Sequence, residues 1–453
     1  MTARPLRRIL GLGFGLAMAF GGTVGVGILR LPATLAASLG NATWIILFWI
    51  FGGVWALLGA VAVAELCAML PEAGGFYVYA RRAFGSGTGF LVGWSDWLNQ
   101  VAAIAYAALT ASAFLSMLWT PAARAPRALA IGIIAVFTAL HWLGLRMGSR
   151  LTRTISVLVG LMLLGLVVGC FWAPPGDASL AIAAPTSVMS LPLFSIGMLG
   201  AVVTALRAVF VSYDGWYSPI YMAEESTAPT FTMPRAIIGG TLLVAAFYVL
   251  VNVAILRVLP MGALAASTLP AADAARVIWP RGGGELVTVI SLLTVLSLIN
   301  ATLLMAPRIL LAIGRDGFFT QKAADVSHSG TPRLALAVSG AGSAALIMSG
   351  TFEQILAVVA VLFLINYVSA YAALIVLRRR EPALPRPYRT FGFPATTIIV
   401  LVGCLALWVA AMHDDPHSAS FAFTLMVLCA PLYLWLARRR RGRRMGQAQS
   451  PRS

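Results

Sequence analysis

The chain of 453 residues is 60% apolar and 10% charged, with a mean hydropathy of +0.89, whereas a soluble domain carries about 25% charged residues. Its 32 Lys and Arg and 15 Asp and Glu could not cover the surface of a soluble protein of this size. That excludes an ordinary cytosolic enzyme, a nucleic-acid-binding protein and a disordered chain, and leaves a polytopic membrane protein in which each span needs about 20 apolar residues.

The hydropathy pattern predicts an all-α integral membrane protein of twelve spans near 9–38, 44–70, 87–118, 127–145, 152–172, 193–223, 235–258, 285–313, 333–350, 353–378, 394–412 and 418–437. The first run is too long and glycine-rich for a cleaved signal peptide, despite Arg4, Arg7 and Arg8 before it. Of the 32 basic residues, 25 fall in alternate loops and the tail, among them Arg81 and Arg82, Arg146 to Arg153, Arg308 to Arg333, Arg378 to Arg389, and Arg438 onward. Positive charge marks the cytoplasmic side. Both termini are therefore expected on the cytoplasmic side of a cytoplasmic membrane, with the net charge of +17 facing lipid headgroups. Cys67, Cys170, Cys404 and Cys429 lie singly inside apolar runs, so neither a disulfide framework nor a metal site is expected.

Two spans are interrupted. Span 1 carries Gly21, Gly22, Gly25 and Gly27 and then Pro32, and span 6 carries Asp214, Gly215 and Pro219 near its middle. Glycine costs a helix about 1 kcal/mol and proline about 3, and irregular backbone at membrane depth survives only beside protein or a water-filled cavity. If spans 1–5 form one unit (9–172), spans 6–10 (193–380) form a second, and the odd number per unit turns it upside down. Spans 11 and 12 (394–437) are then peripheral, and 438–453 is a basic tail, all within one transmembrane domain. Matching breaks in inverted repeats point to a transporter's binding site.

Broken after about Gly22, span 1 exposes the amides of Gly25, Val26 and Gly27 at the positive end of a new half-helix beginning near Ile28, a backbone anion site. Span 6, ending near Val211, Ser212 and Tyr213, exposes carbonyls suited to an ammonium group. Facing each other, the two describe the backbone of an α-amino acid. The expected binding residues are Thr23, Gly25, Val26, Gly27, Ile28, Phe210, Val211, Ser212, Tyr213, Asp214 and Gly215. Asp214 is a carboxylate at mid-span; attraction of a cationic substrate, proton carriage and capping of the broken helix all fit it. Glu65, near the cytoplasmic edge, and Asp96, in the first half of span 3, are expected in gating, coupling or packing, with Trp216 beside the break. His141, His328, His413 and His417 are read at span ends or in loops, which gives no support for a buried histidine relay. No zinc helix, phosphate loop or nucleophile elbow occurs, so no cofactor, metal or enzymatic reaction is expected.

These stretches resemble amino acid permeases of the amino acid–polyamine–organocation superfamily. Val24-Gly25-Val26-Gly27-Ile28 with Pro32 resembles that family's first-span signature. So do Pro71-Glu72-Ala73-Gly74-Gly75-Phe76-Tyr77, Tyr213-Asp214-Gly215-Trp216 with Glu224-Glu225, and Gly314-Arg315-Asp316-Gly317. The loop Leu377-Arg378-Arg379-Arg380-Glu381-Pro382 is similar to that of the L-type amino acid transporter branch. The resemblance implies a LeuT-like fold with a 5+5 inverted repeat, alternating access, an amino acid substrate, and exchange or coupling to H+ or Na+. A polyamine or organic-amine carrier and a non-transporting amino acid sensor are the alternatives on the same fold. Relatives' span-5 lysine is absent, with Val159 near its position; Val26 replaces a frequent serine; and Val211 aligns with a bulky aromatic gate, so either Phe210 or Tyr213 substitutes or the gate is looser. Trp119 to Arg127 lacks a cysteine, so no disulfide-linked ancillary subunit is expected, and the chain would act as a monomer or homodimer.

Overall fold

The computed structural model describes residues 5–174, 195–350 and 352–414, together with a few positions between 420 and 434. Among them the fold is entirely helical; the one extended pairing is a single bridge between Leu10 and Ser226. Span 1 is two helices, α1 (Leu12–Thr23) and α2 (Gly27–Leu39), bent by 44° at the intervening residues. Then come α3 (Ala42–Met69), α4 (Phe76–Phe84), α5 (Ser86–Leu118), α6 (Pro126–Trp142) and α7 (Leu145–Trp172). The second half contains α8 (Ile196–Ser212), a 3₁₀ segment Ser218–Glu225, α9 (Pro229–Val258), two short helices α10 (Met261–Ala266) and α11 (Pro270–Ile278), and α12 (Gly283–Arg315). It continues with α13 (Arg333–Ser349), α14 (Phe352–Arg380) and α15 (Ala395–Asp414). The predicted span 418–437 falls almost wholly outside the described residues.

Local chemistry sets the helix starts. Asn41 Oδ1 accepts from the amides of Thr43 and Trp44 at 2.9 and 3.3 Å, and Ser195 Oγ accepts from the Met198 amide at 3.2 Å; each satisfies amides that have no partner in the helix. Pro126 opens α6 at a position where its missing amide costs nothing.

Among the described residues, six helices are long and apolar enough to cross a membrane, and the bent α1–α2 pair makes a seventh; α6, α8, α13 and α15 are shorter apolar helices. Leu47, Ile50, Phe51 and Val54 on α3, and Val157, Leu158, Leu161 and Leu164 on α7, present large apolar side chains outward, as lipid-facing helices do. In α12, 72% of the apolar window is buried, against 44–50% in the other five long spans, so α12 stands at the centre of the bundle.

At one end of the bundle the arginine-rich loops meet. Arg81 pairs with Glu72 and Asp316, Arg315 with Glu224, and Arg82 with Glu381. The amides of Ile9 and Leu10 both donate to the Glu225 carbonyl at 3.0 Å, which fastens the start of α1 to the end of the 3₁₀ segment. Beneath this rim Arg308 makes a two-pronged pair with Glu225, both almost fully buried.

Candidate functional site

The two interrupted segments cross in direct backbone contact. A Cβ on Gly215 would lie 2.1 Å from the Gly22 carbonyl oxygen, and one on Gly22 would lie 2.2 Å from Ser218 Oγ. Gly215 also has a φ of +115°, a conformation that side-chain-bearing residues rarely adopt. Only glycine at both positions lets the strands of backbone touch.

On the span-1 side, Val24 is extended, and no side chain caps the start of α2. Among the described residues the amides of Gly25, Val26 and Ile28 make no backbone hydrogen bond. Gly25, Val26 and Gly27 are partly exposed while Ile28 is buried, so the opening reaches the peptide groups rather than the hydrophobic core. On the span-6 side, α8 ends at Ser212, and the chain turns through Gly215 before Ser218 Oγ closes on the Gly215 carbonyl at 2.6 Å.

Tyr248 of α9 joins the two sides. Its hydroxyl lies 3.0 Å from the Thr23 carbonyl and 2.9 Å from the Ser212 carbonyl, so the terminal carbonyls of both half-helices converge on one point. A single hydroxyl has only one proton to donate, which leaves at least one of these carbonyls with accepting capacity. Tyr213 packs on the Tyr248 ring at 4.9 Å and donates to the Trp49 carbonyl at 2.9 Å. Sequence reading did not select Tyr248; a lone tyrosine in an otherwise apolar span, with Asn252 one turn on, was the available signal.

The candidate residues fall into two groups. Thr23, Gly25, Val26, Gly27, Ile28, Ser212, Tyr213 and Gly215 lie at the crossing. Phe210, Val211, Asp214 and Trp216 line a lateral cavity of about 80 Å³, which Tyr213 also borders, with Trp55 and Tyr367 among its other walls. Phe210 packs on Trp55 at 5.1 Å, and Val211 is 54% exposed; neither lies over the break. Asp214 is partly buried and accepts a 2.6 Å hydrogen bond from the Tyr367 hydroxyl. Trp216 stacks on that same tyrosine at 5.5 Å.

Glu65 is fully buried, bonded by Arg378 through both oxygens and by the Thr390 amide at 2.6 Å, and so ties α3 to the end of α14 and the loop beyond. Asp96 is also fully buried, with Tyr221, Gln100 and Asn366 as its donors. The reading of His141 is corrected. It sits at a span end in sequence but is 2% exposed and hydrogen-bonded to Asn300 at 2.9 Å, because α7 and α12 enclose that end of α6. Cys67, Cys170 and Cys404 are buried free thiols; Cys429 lies outside the described residues. Among the described residues no cluster of His, Cys, Asp and Glu could hold a metal ion.

An all-helical chain with several helices long and apolar enough to cross a membrane, and a first span broken where it meets a second interrupted segment, has the general plan of a membrane carrier. The amino acid permease family model matches residues 15–435, and the chain belongs to that family. It is 25% identical to the serine/threonine exchanger SteT of Bacillus subtilis (strain 168), over 96% of this chain and 98% of that protein. It is also 29% identical to uncharacterized transporters of Mycobacterium bovis and Mycobacterium tuberculosis, over 89% of this chain and 86% of theirs.

Proposed function

We propose that the chain is a secondary active transporter that moves amino acids across the cytoplasmic membrane by alternating access, as an exchanger or an ion-coupled carrier. One observation carries the reading: carbonyls of Thr23 and Ser212 converge beside the amides of Val26 and Ile28, which make no backbone hydrogen bond among the described residues. The amides suit the substrate carboxylate and the carbonyls its ammonium group. Backbone groups read only what all amino acids share, so side-chain selectivity must come from neighbouring walls, of which the Asp214 cavity is one. The exchanger relative supports exchange as one mode.

In this reading the twelve spans form a LeuT-like 5+5 inverted repeat, 9–172 and 193–380, with two peripheral helices and a cytoplasmic basic tail at 438–453. The arginine-rich rim is then the cytoplasmic side, held shut here by its ion pairs and by the tether from Glu225 to Ile9 and Leu10, while the partly exposed Gly25–Gly27 edge opens the other way. Alternating access would exchange these two closures around the fixed crossing.

The test is uptake of a panel of labelled amino acids into proteoliposomes, with and without internal amino acid and with imposed ion gradients. Saturable uptake accelerated by internal substrate supports the reading. Binding in detergent without any movement in vesicles would assign the chain to sensing instead, and preferential inhibition by an amine lacking a carboxylate would move the substrate to polyamines.

A further inference from the structure

Among the described residues, four carboxylates lie inside the bundle, and their surroundings differ. Glu65 and Glu225 each have an arginine, Arg378 and Arg308. Asp214 borders the lateral cavity. Asp96 is fully buried in α5, roughly 15 Å of helix from its start, and among the described residues no Lys, Arg or His pairs with it. Its donors are all neutral: Tyr221 Oη at 2.8 and 2.9 Å from the two oxygens, and Gln100 Nε2 and Asn366 Nδ2 each at 3.3 Å. Beside it, Ser95 Oγ, Asn99 Oδ1 and Asn366 Oδ1 have no hydrogen-bond partner among the described residues, on side chains at most 2% exposed.

An ionised carboxylate without a counter-charge is costly at such a place, and a proton removes the cost. Asn366 can serve both forms. Its amide N–H donates to the carboxylate, and with the amide turned over its unpartnered Oδ1 accepts from the carboxylic acid. A metal cation fits less well, because the N–H groups of Gln100 and Asn366 point to where it would need oxygens.

We propose that Asp96 is the group that takes up and releases a proton coupled to amino acid movement. A proton from water on one side forms an O–H bond on the carboxylate, and that bond breaks to water on the other side after the carrier reorients; no other bond changes. The inference rests on the transport reading above. The titratable groups facing Asp96 are Tyr221 and Tyr217 of the segment after the span-6 break. On the packed helices Arg81 of α4 pairs with Glu72 and Asp316 and Arg82 with Glu381, Arg308 of α12 pairs with Glu225 and Arg315 with Glu224, His141 of α6 bonds Asn300, Arg378 of α14 pairs with Glu65, and Arg333 of α13 lies over the Trp142 ring. Tyr221 rides on the continuation of the broken span, so an ionised Asp96 holds that segment to α5 and α14, and protonation releases part of the hold. Proton occupancy and the position of span 6 then bias each other reciprocally.

The experiment uses the full chain, purified in detergent and in proteoliposomes. Infrared difference spectra between alkaline and acid buffer should show a carboxylic-acid carbonyl band that Asp96→Asn abolishes. Tyr221→Phe should move the band to higher frequency, because the carbonyl loses a donor; a purely structural role for Asp96 predicts neither change. In vesicles, amino acid entry should acidify a trapped pH dye in the wild type and not in Asp96→Asn. A band that survives both substitutions, or substrate-linked acidification that persists in Asp96→Asn, would overturn the proposal while leaving transport intact. Wild-type vesicles that move no amino acid would defeat the transport reading and this proposal together.

Discussion

Replacing Gly215 by alanine tests the crossing directly. The added methyl would sit 2.1 Å from the Gly22 carbonyl oxygen, more than about 1 Å inside ordinary contact, and 3.0 Å from the Thr23 amide nitrogen, and both neighbours are backbone that cannot swing aside. The φ of +115° adds about 1–3 kcal/mol of strain for a residue with a side chain, and overpacking adds about 1–3 kcal/mol. The chain can relieve this only by separating the two segments whose convergence makes the site, so affinity for a transported amino acid should fall at least about 30-fold, equivalent to about 2 kcal/mol. The assay is equilibrium binding of labelled substrate to protein that remains monodisperse in detergent. Gly200→Ala on α8, where an added methyl meets nothing within 4 Å, is the control and should bind normally. A Gly215→Ala protein that binds as tightly as the wild type would refute the assignment of the site to this crossing.

Tyr248→Phe removes the hydroxyl shared by the Thr23 and Ser212 carbonyls; substrate affinity should fall about tenfold, the worth of one buried hydrogen bond, as measured by the same binding assay. Glu225→Gln leaves Arg308 buried without its charge partner and should destabilise the protein by about 3–5 kcal/mol, read as a lowered unfolding midpoint, whereas replacing both residues by apolar ones should recover most of the loss. Asp214→Asn should weaken cationic substrates much more than neutral ones in competition uptake, and an equal loss for both would assign the carboxylate to holding the broken helix.

Much of the helical framework was legible because a span is a local property: about 20 apolar residues without charge can do little else in a bilayer. Breaks were legible for the same reason, since glycine and proline act on their own stretch of backbone, and α1 indeed ends at Thr23 and α2 begins at Gly27. The short helices were not. α4, α10 and α11 fall in stretches read as loops, and their positions depend on packing against longer neighbours rather than on their own length. Nor was the facing of side chains within a span. Phe210 and Val211 adjoin Ser212 in sequence but turn to the lateral cavity, because successive residues of a helix point about 100° apart and only the neighbours decide which direction is inward.

By itself, then, the sequence determined membrane residence, helical class, the two interruptions and a family resemblance that the permease match confirms, all through composition and local backbone chemistry. Tertiary structure alone decided that the interruptions meet, that Tyr248 bridges their carbonyls, that His141 is enclosed, and that Asp96 lies buried with neutral donors as its partners among the described residues. Those facts depend on residues far apart in the chain arriving at one place, and a contact between distant segments leaves no mark in either segment alone.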